Sequence, residues 1–128
     1  MDTDFLLGLL RGNPSAAEKA GEYDSSGIQA STTAVNAFEV YFGAYRSANS
    51  EKNLKKADEL FSCLGILELN VESFRKTGEL LARLTSQGIP IEVRDALIAG
   101  IVLVNGYTLV TRNSAHFVRI ESLSIQGW

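Results

Sequence analysis

The chain is poor in the residues that announce several common chemistries. Among its 128 residues stand one cysteine, Cys63, and one histidine, His116. A lone cysteine excludes an internal disulfide, and the pair excludes a Cys/His zinc cluster with its closely spaced ligands. A reducing setting, and so the cytoplasm, is the expected location. No glycine-rich phosphate loop of the P-loop pattern is present. No basic segment leads into an apolar stretch and a cleavage site, so no secretory signal is expected. The longest apolar run, Ala96 to Val104, falls well short of the roughly 20 residues that span a bilayer, so no membrane partner is expected. Positive charge is also scarce: 12 Lys and Arg face 15 Asp and Glu, for a net charge of −3. That counts against a protein gripping nucleic acid by a broad basic face. It leaves room for a nuclease whose metal ions bring the positive charge to the phosphate.

What is present suits one domain over residues 1–128, long enough to bury a single sizeable core. Phe5 to Arg11 reads as a helix capped by Thr3 or Asp4. Asn13-Pro14 starts another toward Tyr23, with Pro14 at the first helical position, where its missing N–H costs nothing. Ile28 to Thr33 is β-branched and follows Gly27, which predicts a strand. Val35 to Ala48 and Glu51 to Leu64 read as helices, Ile66 to Leu69 as a strand, and Val71 to Ser86 as a helix capped by Asn70. Ile91 to Asn105 reads as a helix apolar on every side from Ala96. A strand over Tyr107 to Thr111, a turn near Ser114 to Phe117 and an extended Leu123 to Ile125 complete the chain. Alternating strands and helices imply an α/β fold with a parallel sheet covered on both faces, and a site at the carboxyl ends of its strands.

Most acidic residues sit where solvent accounts for them. Asp2, Glu39 and Asp95 do not. Asp2 directly precedes the apolar Phe5-Leu6-Leu7. Glu39 lies inside Ala37-Phe38-Glu39-Val40-Tyr41-Phe42, where a buried charge needs a partner. Asp95 opens the apolar helix, where the helix dipole favours an anion. Each has a plain explanation: a cap, an ion pair of Glu39 with Arg46, a good first-turn residue. Together they point to a divalent-metal site, because Mg²⁺ takes hard oxygen ligands from a few carboxylates.

Four segments carry a resemblance. They are Asp2-Thr3-Asp4-Phe5-Leu6-Leu7, Ser31-Thr32-Thr33-Ala34-Val35-Asn36-Ala37-Phe38-Glu39-Val40, Gly88-Ile89-Pro90-Ile91 running to Asp95-Ala96-Leu97-Ile98-Ala99, and Leu109-Val110-Thr111-Arg112-Asn113 with His116-Phe117. In this order and spacing the chain resembles the PIN domain, and within it the VapC ribonuclease toxins of type II toxin–antitoxin pairs. The resemblance implies a PIN-like three-layer sandwich, with a central, mostly parallel sheet of four to five strands flanked by helices. It implies an endoribonuclease dependent on Mg²⁺ or Mn²⁺, with Asp2, Glu39 and Asp95 as metal ligands and Asn113 at a fourth catalytic position. Many relatives carry an Asp at that fourth position, so one metal ion rather than two is expected here. Thr3 and Thr111 would steady the cluster. RNA substrate, a cognate antitoxin and a homodimer are the implied partners. An RNA-maturation nuclease without antitoxin, or a weakened partner-binding scaffold, would use the same residues.

PIN domains also begin with a buried strand before the first Asp, and only Met1 precedes Asp2 here. A very short first strand, or an extension upstream, is therefore expected. Of the remaining residues, His116 reads as a loop residue and Cys63 as core. Phe38, Tyr41, Phe42 and Tyr45 read as core or interface, with Tyr41 or Tyr45 the candidates for exposure. Arg112 and Arg46 are candidates for phosphate contact or for neutralising the acids. The helix pair across Val35 to Leu64 carries enough apolar surface to accept a partner helix.

Overall fold

A computed structural model describes residues 1–128. Its elements are α1 (Thr3–Leu10), α2 (Pro14–Ser25), β1 (Ser31–Thr33), α3 (Ala34–Arg46), α4 (Ser50–Cys63), β2 (Gly65–Leu67), α5 (Val71–Ser86), α6 (Val93–Val104), β3 (Leu109–Val110), α7 (Ser114–Phe117) and β4 (Ile125–Gln126). The alternation of strands and helices is as expected. The strands are shorter than their sequences suggest, and β1 omits Ile28 to Ala30.

All strand pairing is parallel, but one continuous sheet is not formed. β1 pairs with β2 in the register Thr32 to Ile66, and β3 pairs with β4 in the register Leu109 to Ile125. Met1 and Asp2 lie between the two pairs. The Met1 nitrogen donates to Ser31 O at 2.8 Å, and Asp2 N–H donates to Val110 O at 3.0 Å. Thr32 Oγ1 donates to Met1 O at 3.0 Å. These two residues join the halves, and a cavity of about 330 Å³ lies between β1 and β3.

Strand alternation builds two cores. Leu109 points into a cluster with Leu80, Leu84, Ile98, Ala99, Val102, Phe117 and Ile120. Val110 points the other way, to Phe5 and Tyr23. Successive strand side chains face opposite sides, so adjacent residues serve the two helical layers of a three-layer fold. On the first side α5 and α6 approach closely at Gly100, where a Cβ would lie 2.3 Å from Thr77 Oγ1.

The caps explain two boundaries. α5 opens with a reciprocal box: Ser73 N–H donates to Asn70 Oδ1 at 3.0 Å, and Asn70 N–H to Ser73 Oγ at 2.8 Å. The cap of α1 is Asp2, not Thr3 or Asp4, and Phe5 N–H donates to its Oδ1 at 2.9 Å. Only the residue preceding the first turn can turn its side chain back onto that N–H. Cys63 is exposed rather than core, because it ends α4 on the solvent side. Phe38, Phe42 and Tyr45 are also exposed, recurring along one outer face of α3. No helix is long and apolar enough to cross a membrane.

Candidate functional site

Three chain turns deliver polar side chains to one end of the strands. Asp2 arrives from the Met1–Asp2 bridge, Glu39 from the second turn of α3 after β1, and Asp95 from the first turn of α6. With Thr3, Asp4, Asn36, Arg94, Asn113 and His116 they line a cavity of about 150 Å³. All four residues expected at the site, Asp2, Glu39, Asp95 and Asn113, are therefore brought together. Asp2 and Asp95 retain only 5% and 7% exposure, so their charges are poorly solvated.

Each acid is held by a particular partner. Burial pushes the Asp2 carboxyl above its usual range, and the neighbouring charge of Asp4 adds to the rise. The Thr111 hydroxyl and Phe5 N–H oppose it. Asp95 Oδ2 faces His116 Nδ1 at 3.1 Å, so His116 belongs to the cavity and not merely to a loop. Glu39 is gripped twice. Its Oε2 accepts from the Thr3 hydroxyl, and its Oε1 accepts from Arg94 Nη1 at 2.6 Å. Behind Thr3, Asn36 Nδ2 donates to Thr3 Oγ1 at 3.0 Å, and Thr33 Oγ1 donates to Asn36 Oδ1 at 2.6 Å. This chain of hydrogen bonds fixes Thr3, and through it one edge of Glu39.

Three residues were missed in the sequence. Asp4 accepts from Asn113 Nδ2 at 2.8 Å through its Oδ2, so a carboxylate stands beside the neutral amide. Arg94, and not Arg46 or Arg112, neutralises Glu39. Arg46 stacks on Phe42 at 5.4 Å, and Arg112 stacks on Trp128 at 3.5 Å while its Nε donates to Trp128 O. Arg94 did carry a signal: it is a cation in the first turn of a helix, where the dipole disfavours it. Asn36 carried one too, as an amide in an otherwise apolar helical stretch.

The donor set suits a hard divalent cation. It is all oxygen, largely buried and short of positive charge. As the side chains stand, no three of the acids converge on one point for an ion. Glu39 is turned to Arg94 and Asp95 to His116.

A family model for the PIN domain matches residues 1–123. The chain belongs to the PIN domain family. Among curated PIN relatives, the tRNA(fMet)-specific endonuclease VapC of Salmonella typhimurium is 27% identical over all of this chain and 96% of its own length. Ribonuclease VapC2 of Rickettsia felis is likewise 27% identical, with the same coverage. Among solved structures, VapBC2 from Rickettsia felis, bound to a promoter DNA fragment, superposes with a TM-score of 0.91. It is 25% identical and covers 99% of this chain and 96% of that one. The DNA-bound VapBC of Salmonella typhimurium gives 0.90 at 25% identity, over 99% and 95% of the two chains. This PIN chain therefore shares the fold of these structures over nearly its whole length.

Proposed function

We propose that this chain is an endoribonuclease dependent on Mg²⁺ or Mn²⁺, acting in the cytoplasm as the toxin of a type II toxin–antitoxin pair. The observation that carries the reading is the single cavity lined by Asp2, Glu39 and Asp95 at the strand ends of a PIN fold. The VapC relatives, named as ribonucleases, and the VapBC complexes support it.

Asp2 and Asp95 would be the principal residues holding the metal ion, with Glu39 beside them. A divalent cation bound there supplies positive charge to the phosphodiester and makes water a stronger nucleophile. The protein's part is to hold the acids. Asp2 is immobilised by the Phe5 N–H, and Thr3 orients Glu39. His116 orients Asp95 through the 3.1 Å contact. Asn113 steadies Asp4, which brings a fourth carboxylate to the mouth of the cavity. Asp4 would accept a hydrogen bond from a water at the site, a role the amide of Asn113 fills poorly.

The outer surface fits two protein partners. Val35, Phe38, Leu69, Val93 and Leu97 line an apolar groove beside the cavity. Phe38 and Phe42 extend it as a stacked pair, with centroids 5.9 Å apart. A second copy of the chain covers this face in a homodimer, and the antitoxin occupies the surface of the α3–α4 pair.

The decisive experiment incubates the purified chain with RNA and Mn²⁺ and maps the new ends by sequencing. Discrete cleavage is expected, abolished by EDTA and absent in Asp95→Asn. Cleavage that persists in both controls would sink the reading.

A further inference from the structure

Arg94 is the one cation that reaches into the acidic cavity, and its position is odd on local grounds. It is the second residue of α6, where the helix dipole repels positive charge. A short acid or a neutral residue would serve the helix better. What holds the guanidinium is Glu39 Oε1 at 2.6 Å and, on its outer edge, Glu92 Oε2 at 3.2 Å. The charge of Glu39 keeps it firmly protonated, with Asp95 and Glu92 adding to the effect. Its side chain is 54% exposed, against 17% for Glu39, so the ion pair sits at the mouth of the cavity with the arginine outermost.

Both oxygens of Glu39 accept hydrogen bonds, Oε2 from Thr3 and Oε1 from Arg94. A divalent cation at Glu39 competes with Arg94 for the same negative charge. Thr3 is fixed from behind by Asn36 and Thr33, and its hydroxyl is neutral. Arg94 is exposed, flexible and positively charged, so a cation beside Glu39 repels it. Arg94 is the partner that yields. Once displaced it remains tethered at the rim of the acidic cavity it lines. A planar guanidinium binds phosphate oxygens in pairs, which an ammonium does not.

We propose that Arg94 is a phosphate-binding residue for the RNA strand, stored on Glu39 in the metal-free protein and released to the substrate when a divalent cation takes Glu39. The inference rests on the metal-nuclease reading above. It predicts two opposite effects of one substitution. Removing Arg94 frees Glu39 for metal and takes a contact away from RNA.

The test compares wild type, Arg94→Gln and Arg94→Lys. Mn²⁺ alone is titrated into each by calorimetry, and RNA cleavage is then followed at saturating Mn²⁺ over a range of salt. Arg94→Gln is expected to bind Mn²⁺ about tenfold more tightly and to raise KM for RNA about tenfold, the size of one charge-assisted hydrogen bond. The slope of log(1/KM) against log salt should flatten by nearly one for the lost phosphate contact. Arg94→Lys should restore the salt slope but only part of KM. Unchanged Mn²⁺ affinity in Arg94→Gln, with normal binding by wild type, overturns storage on Glu39. An unchanged KM and salt slope overturns the phosphate role. A wild-type chain that takes no Mn²⁺ sinks the nuclease reading and this inference with it. Thermal unfolding of each variant shows that the fold is intact.

Discussion

The first turn of α6 and the remainder of the same helix face opposite environments. Asp95 enters the acidic cavity, where four carboxylates crowd together beside Arg94. One turn further on, Ile98, Ala99 and Val102 enter a close-packed apolar cluster with Leu80 and Leu84 of α5. The cluster gains stability from every side chain it buries, about 25 cal/mol per Å² of apolar surface removed from water. The cavity loses stability through like charges held out of water. The apolar end anchors the helix, and with it the position of Asp95 at the cavity.

That contrast can be broken at either end. The largest effect belongs to the cavity. Asp95→Asn or Asp2→Asn should lower Mn²⁺-dependent RNA cleavage on the order of 10³-fold. Circular dichroism should stay native, since each substitution removes repulsion and no packing. If either variant unfolds, the acids are structural and the contrast fails. The reverse substitution is Leu84→Ala, at a side chain only 1% exposed. It should cost about 3 kcal/mol in urea unfolding while activity per folded molecule stays close to wild type.

Gly100→Ala probes the join between the two helices. The added Cβ would meet Thr77 Oγ1 at 2.3 Å and Ser73 O at 3.1 Å. Forcing α5 from α6 should cost about 1–3 kcal/mol. A loss of cleavage per folded molecule, measured beside the thermal midpoint, would show that the α5–α6 spacing sets the position of Asp95. Asp4→Asn gives a smaller change, about a tenfold fall in cleavage rate with no loss of stability, read under saturating Mn²⁺. An unchanged rate would remove Asp4 from the site. Least of all, Glu121→Gln breaks the surface pair with Arg83 at 2.6 Å. Thermal unfolding should register less than about 1 kcal/mol, because exposed ion pairs are screened.

Much of the protein was legible from residues alone. Asn13-Pro14, Asn70 and Gly88 mark helix ends by local chemistry, and they stand where the sequence places them. Asp2, Glu39 and Asp95 stood out because charge beside apolar neighbours is costly wherever the chain folds. Capping, periodicity and desolvation act over a few residues, so a linear reading captures them.

The tertiary structure decided what depends on distant segments meeting. Whether one sheet forms or two depended on how Met1 and Asp2 bridge Ser31 and Val110. Arg94 and Glu39 are 55 positions apart, and Asp4 and Asn113 are 109 apart. No local signal couples such pairs. Arg46 and Arg112 look equally suited to the acids in the sequence, yet aromatic rings hold both elsewhere. The choice among cations is made by side-chain reach after the backbone is placed, and only the folded chain shows that Arg94 has it.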